Sequence, residues 1–387
     1  MRFFDQSFEL NAEIASQLFT DIASRTKVHN IRKVDKPIII FGAGNLGKLA
    51  FDYFHSINIK VYLILDNNPT LAKKDCFWDN HKISHPNSIS KVDWENSLIA
   101  VCIVNVPFHE IKNQAKELGG KDIVPFYDIC EAYLNKHPLG NGWFIKKFSD
   151  DTIKKINLVL KIWDDERSIS HYLQMLAWRK LREEWIFEKA PIQTGNRFFI
   201  PEVTRKFTKN ETFLDIGSHN GSVFERFLKE TNSSFNKIIL YEPDPQSSVD
   251  LEEKIQSLPL DIRNRIIRNQ VAVGNINGRS KFFAEIDYAS QLSVNGKSDV
   301  DVVKIDSQNL SPTIIKIHIE GHELNALRGA ISCISSNRPI LMVTIYHNSD
   351  AIYKLPLWFF ESLRGYNLFL RLHSWLGNGA VIYAIPK

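Results

Sequence analysis

The chain has 387 residues, 44% of them apolar and 24% charged, and a formal net charge of +4. A chain of this size and balance folds into two or three globular domains, and such a mild charge with no basic block argues against nucleic acid as a partner. No apolar run is long enough to cross a membrane, and the acids in MRFFDQSFELNAE come too early for a signal peptide, so a cytoplasmic protein is expected. Cys76, Cys102, Cys130 and Cys333 lie far apart and form no C-x-x-C pair. They read as buried free thiols rather than zinc ligands or disulfides.

Residues 1–35 form a helical arm, with Phe8, Leu10, Ile14, Leu18 and Ile22 near helical spacing. Its mixed polar face suits packing better than membrane binding. Residues 36–135 alternate strand and helix as a Rossmann-like domain. An apolar strand, Pro37–Phe41, runs into Gly42-Ala43-Gly44-Asn45-Leu46-Gly47, and a helix follows through Phe54. Strands are also expected at Val61–Leu65, ending in Asp66, and at Leu98–Val104, with a helix at His109–Leu118. Gly42, Gly44, Asn45, Gly47 and Asp66 have the context of a dinucleotide loop: glycines for the turn and phosphate approach, an acid for a ribose. NAD, another nucleotide or a nucleotide sugar would fit. A domain that keeps the turn and binds nothing fits as well, because the turn itself requires glycine.

Residues 136–205 read as a helical connector, with helices over Ile153–Leu160 and His171–Phe187 and with Trp163, Trp178 and Trp185 packed among them. Residues 206–387 read as a second α/β unit. Strands are expected at Thr212–Ile216, Ile238–Glu242, Ile266–Val273, Ser280–Ala284, Ile314–Ile319 and Pro339–Tyr346, then a closing antiparallel hairpin, Tyr366–Leu372 with Ala380–Ile385. The expected fold is α/β: two doubly wound sheets joined by a helical connector.

The stretch from Glu211 to Asp244 carries the most chemistry. One strand ends in Asp215-Ile216-Gly217, the small residues Ser218-His219-Asn220-Gly221 open a helix, and the next strand ends in Glu242. Acids at strand tips, with few glycines in the turn, suit a cationic ligand with a ribose and no phosphate. S-adenosylmethionine is such a ligand: Glu242 would accept from the ribose hydroxyls and Asp215 would face the methionine end. Asp244, Gln270 and Ala272 are further cofactor candidates, with an amide near Asn269–Ala272 reading the adenine edge. Ser290 and Gln291, in a polar loop, are candidates to touch cofactor or acceptor.

Farther on, Lys316-Ile317-His318-Ile319-Glu320-Gly321-His322-Glu323 leads to Leu327-Arg328-Gly329-Ala330. With Asp215-Ile216-Gly217, Glu242-Pro243-Asp244-Pro245, Arg338-Pro339-Ile340, Tyr346-His347 and the Tyr366–Arg371 strand, this string resembles the FkbM family of S-adenosylmethionine-dependent methyltransferases. The resemblance covers about residues 195–387. It implies a methyltransferase-type sheet and transfer to a sugar hydroxyl of a glycan, a nucleotide sugar or a lipid-linked sugar. FGAGNLG with DNNP looks like the N-terminal partner domain some of these proteins carry. Two positions depart from the family pattern: His318 stands where aspartate is usual and His322 where a small residue is common.

A sugar hydroxyl is a weak acid, so transfer to it calls for a base within hydrogen-bond reach. His318, Glu320 and His347, at strand ends on the ligand edge, are the candidates. His318, Glu320, His322 and Glu323 also have metal-ligand chemistry, but Gly321 breaks the strand between them and nothing in the spacing makes them converge. An NAD-linked or nucleotide-sugar enzyme working through the first unit and a non-catalytic scaffold are the alternatives. The sequence also allows a homo-oligomer.

Overall fold

The computed structural model describes residues 1–5, 9–26, 31–145, 147–284 and 290–387; Phe8 lies outside them. Two parallel sheets dominate. The first has the order Ile83–Ser84, Val61–Leu65, Ile38–Phe41, Leu98–Val101, Asp122–Pro125, all parallel. Its central strands are apolar because helices cover both faces; every residue of Ile38–Phe41 and Leu98–Val101 is buried. The sequence reading missed the two edge strands, one of them only two residues long and the other closing on proline, which an edge tolerates.

The second sheet has the order Ile266–Asn269, Lys237–Tyr241, Thr212–Ile216, Ile314–Ile317, Ile340–Thr344, Ala380–Pro386, Tyr366–Leu372. Antiparallel pairing is confined to Ala380–Pro386, which runs against both Ile340–Thr344 and its hairpin partner Tyr366–Leu372. The strand order reverses beside Thr212–Ile216, between it and Ile314–Ile317, and ligands bind at such switch points, outside the carboxyl ends of the strands.

Three expectations are corrected. The stretch Ile266–Val273 is not one strand. It breaks after Asn269, and Ala272–Val273 pairs instead with Ser298–Val303 in a separate four-stranded sheet. Gly278–Phe283 joins that smaller sheet too. The connector helix runs Glu166–Leu181, capped by Asp165 Oδ1 accepting from the Ser168 amide at 2.8 Å and ended by Arg182 in the left-handed region. Trp185–Phe187 is therefore a strand, paired in parallel with Arg2–Phe4. The arm's helix, Ala12–Ser24, packs on the connector helices and buries Ala15, Phe19 and Ile22 in the core that the connector shares with the second unit.

The end of the connector helix fastens the two units together. Arg182 pairs with Asp128 at 2.9 Å, both side chains about nine-tenths buried. The Glu184 carboxylate accepts from the amides of Phe108 and His109. Arg179, fully buried, lies over the Trp143 ring and donates to the carbonyls of Asn141, Tyr346 and Gly377 and to Asn378 Oδ1. Burial, with Arg182 beside it, pushes Arg179 down to about 9. The consequence is positional: the first unit's glycine loop is held against the ligand edge of the second sheet.

Candidate active site

Thr212–Ile216 and Ile314–Ile317 pair so that Asp215 and Lys316 sit side by side in register. Lys316 Nζ lies 2.8 Å from Asp215 Oδ1, with both side chains essentially inaccessible. Burial pushes the Asp215 carboxyl up, and Lys316 works against that. Lys316 also donates to the Gly217 carbonyl. Gly217 has φ +78, and a Cβ there would come 2.0 Å from the His318 carbonyl oxygen. Only glycine lets the two strand tips approach this closely. Asp215 therefore braces the turn from below and does not line the cleft, contrary to its expected place at the methionine end.

Above this turn lies a cleft of about 390 Å³, within the size range of small-molecule sites. Gly217, Ser218, His219, Glu242 and Ala272 line it, as do Ser290 and Gln291. The other cofactor candidates, Asn220, Gly221, Asp244 and the exposed Gln270, are not among its lining residues. Asp244 caps the following helix, accepting from the Ser247 amide, and its other oxygen accepts from the Ser290 hydroxyl. Glu242 accepts from the amides of His219 at 2.6 Å and Asp244 at 3.0 Å. Burial pushes its carboxyl up. Each oxygen keeps a further lone pair, and the nearby walls are apolar: Ile216, Tyr241, Val271, Val273, Phe282. A fixed acid beside an apolar slot suits a nucleoside, whose ribose hydroxyls need an acceptor and whose base needs a flat apolar bed. The residues present thus fit S-adenosylmethionine.

A second chamber of about 210 Å³ adjoins the cleft and shares four of its walls: Asn45, Arg197, His318 and Glu320. The first unit's loop, singled out as a nucleotide site, supplies Asn45 to both spaces. Its other expected ligand, Asp66, is turned to its own backbone, accepting from the amides of Ala43 at 2.8 Å and Asn68 at 2.7 Å. Gly42 lies at φ +111, and a Cβ on Gly47 would meet the Gly42 carbonyl oxygen at 2.0 Å. The glycines thus serve the strand-to-helix turn.

At the junction of the two spaces a polar cluster spans adjoining strand tips. Arg197 donates to Tyr346 Oη at 2.8 Å, and that hydroxyl lies 3.1 Å from His318 Nε2. Glu320 Oε1 is 3.3 Å from Nε2 of both His318 and His347. On its other side, His347 Nδ1 meets Glu323 Oε1 at 2.7 Å. The three expected catalytic side chains are thus brought together. Glu320 does not cap the next helix; it stands at φ +48, a conformation rare outside glycine that often marks functional sites. His322 Nε2 is turned to the Leu292 carbonyl, away from the cluster.

Charge is divided within this cluster. Burial, with Arg197 near, holds His318 neutral by pulling it down to about 3. Although burial opposes it, the pair Glu320 and Glu323 drives His347 well above the ordinary imidazole value. His347 in turn holds both carboxyls below theirs against the same burial penalty. The arrangement at neutral pH is a neutral His318, two carboxylates and an imidazolium between them.

Sequence reasoning missed Arg197, Phe198 and Lys316. Phe198 has φ +68, and its amide donates to Tyr383 Oη, which lies 2.7 Å from His373 Nε2. A lysine inside an apolar strand, Lys316, was the available signal: it required a buried acid beside it. Burial lowers His373 to about 4 and His171 to about 3. Both bind a proton when unfolded near pH 6.5 and resist it when folded, so stability falls as pH drops from 6.5 toward 4. We expect a slope of about 2.7 kcal/mol per pH unit near pH 5 from these two groups. Denaturant titrations at a series of pH values check this; a flat profile above pH 5 would contradict it.

The fold and cleft define a methyltransferase that uses S-adenosylmethionine. Residues 215–378 match the methyltransferase FkbM domain, and this part of the chain is an FkbM methyltransferase domain. The crystal structure of the methyltransferase FkbM from Methylobacillus flagellatus KT is similar over 96% of this chain and 98% of its own, at 16% identity and a TM-score of 0.59. The precorrin-6y C5,15-methyltransferase of Geobacter metallireducens GS-15 is similar over 52% of this chain and 96% of its own, at 12% identity and a TM-score of 0.31. No curated protein matches the sequence. No helix among the described residues is long and apolar enough to cross a membrane.

Proposed function

We propose that the protein methylates a sugar hydroxyl of a glycan or of its nucleotide- or lipid-linked precursor, in the cytoplasm. In this reading residues 206–387 are the methyltransferase unit, residues 36–135 present the acceptor, and residues 1–35 and 136–205 hold the two together. The observation that carries it is the second chamber. Its polar walls include Asn45, Asn141, Asn378, Ser374 and Tyr346, with Leu46, Leu49 and Leu139 between them. Amides and hydroxyls set among apolar side chains suit a polyhydroxylated ring.

S-adenosylmethionine supplies an electrophilic methyl and leaves as S-adenosylhomocysteine. Glu242 would hold the ribose hydroxyls, and Ile216, Val271 and Val273 would bed the adenine. As the acceptor oxygen bonds to the methyl, its proton passes to His318 Nε2. Glu320, 3.3 Å away, stabilises the imidazolium that forms, which offsets the low basicity of a partly buried imidazole. His347 and Glu323 fix the Glu320 carboxylate. An NAD role for the first unit draws less support, since Asp66 lines neither the cleft nor the chamber.

The test is methyl transfer by the purified chain to free, nucleotide-linked and lipid-linked sugars, read as S-adenosylhomocysteine release and mapped on the product. Asn45→Leu is expected to raise the acceptor KM about tenfold, the cost of one lost neutral hydrogen bond, and to leave the S-adenosylmethionine Kd unchanged. Methyl found on nitrogen, or on no sugar while another class of acceptor turns over, would overturn the proposal.

A further inference from the structure

We propose that His318, Glu320 and His347 form a binding site for one first-row divalent transition-metal ion, with zinc as the reference ion. One ligand atom from each lies within 4.8 Å of the others. Glu320 Oε1 is 3.3 Å from each imidazole Nε2. Two ligands of a tetrahedral ion at about 2.0–2.1 Å sit roughly 3.3–3.4 Å apart, so these spacings are edges of such a polyhedron.

A second observation points the same way. His347 is almost wholly buried, yet its Nε2 makes no hydrogen bond among the described residues. It faces Glu320 Oε1 at 3.3 Å, and a metal ion would displace the proton that this nitrogen carries in the metal-free site and take up the lone pair so freed. The opposite nitrogen, Nδ1, meets Glu323 Oε1 at 2.7 Å. Glu323 Oε1 is itself fixed by the Thr344 hydroxyl at 3.0 Å and the Ile319 amide at 3.2 Å. A carboxylate behind a histidine, orienting the ring and raising its basicity, is the usual outer support of a metal-bound imidazole.

The remaining adjustment falls on His318. Its side chain is 24% exposed and stacks on His347 at 5.1 Å between ring centres. Turning the ring off Tyr346 Oη brings Nε2 onto the ion, while His347 and Glu320 stay in place. Once the ion has displaced the His347 proton, two imidazoles and one carboxylate suit zinc, manganese, iron or cobalt and not magnesium, which takes oxygen ligands. Three protein ligands leave an open position, as in catalytic rather than structural sites. Because His318 and Glu320 line both the cleft and the chamber, that position opens where they meet. An ion there would make a bound hydroxyl acidic and take over from His318 the task of drawing its proton. The site goes beyond the sugar reading and stands without it.

The test uses the full chain, stripped with chelator, then titrated calorimetrically with zinc chloride and analysed for bound metal. One zinc per chain is expected. The affinity should fall at least thirtyfold in His347→Ala and in Glu320→Gln and stay within threefold in His322→Ala. Cobalt should give the visible absorption of a tetrahedral nitrogen–oxygen site, lost in the same two variants. S-adenosylmethionine binding reports that each variant is folded, and Glu320→Gln serves if His347→Ala is not. No stoichiometric zinc, or equal affinity in the Glu320→Gln and His322→Ala chains, would overturn the proposal. Neither result bears on whether the acceptor is a sugar.

Discussion

Glu320→Gln is expected to lower kcat by about 10²- to 10⁴-fold, the range for loss of a positioned acid–base group, with the S-adenosylmethionine Kd unchanged. Glutamine keeps the size of the side chain and removes its charge. The left-handed backbone at φ +48 is equally strained with either residue, so the comparison isolates the carboxylate. Without it, His318 has no anion 3.3 Å away to stabilise the proton it receives, and His347 keeps only Glu323. Because the cofactor contacts proposed for Glu242 and its apolar walls are untouched, the loss should appear in kcat and not in cofactor binding. S-adenosylhomocysteine release under saturating cofactor and acceptor measures it. A variant within threefold of the parent would remove Glu320 from the reaction.

The second large effect is on stability. Lys316→Met should destabilise the fold by about 3–5 kcal/mol, the usual cost of stranding one member of a buried ion pair. Asp215 is fully buried and Lys316 is its ion-pair partner. Burial already pushes the Asp215 carboxyl up with the lysine present; without it the carboxyl rises further. A carboxyl whose folded value lies above its unfolded value binds more protons when folded. The deficit relative to the parent should therefore be small near pH 4 and grow as pH rises through the folded value. The double variant Lys316→Met/Asp215→Asn should recover most of the loss, since no buried charge remains. Thermal melts of the three chains at pH 5 and pH 8 check the sign. Equal stability of Lys316→Met and the parent at pH 8 would contradict it.

Much of this architecture could be read from the chain because its sheets are parallel. Strands buried on both faces are continuous apolar runs, and IIIF, TFLDI, IIKI and ILMVT stand out against their surroundings. The smaller sheet did not stand out. Two of its strands are only two residues long and the other two are mostly exposed over their first four residues, with the acids of SDVDVV on exposed positions. The strand-tip acids and the histidine-bearing turn were visible as residue types at sheet ends. Their roles were not, because those depend on register. Nothing local pairs Asp215 with Lys316; that follows from which strands adjoin. Likewise His347 reaches Glu320 only because Ile314–Ile317 and Ile340–Thr344 are neighbours. The chamber was invisible for a longer-range reason: it exists only once the connector helix has docked one unit on the other.

The glycine turn that carries Asn45 has a bearing on how such domains diversify. The turn is kept by its own geometry, through the left-handed Gly42 and the crowding at Gly47, whether or not phosphate ever touches it. A loop preserved for that reason is a ready-made rigid scaffold whose tip residue can vary at little risk to folding. Gly44 and Asn45 occupy that tip, and a side chain at Gly44 would meet nothing within 4 Å. Related chains could thus change what they accept by exchanging one or two tip residues, while the half that handles the methyl donor stays as it is.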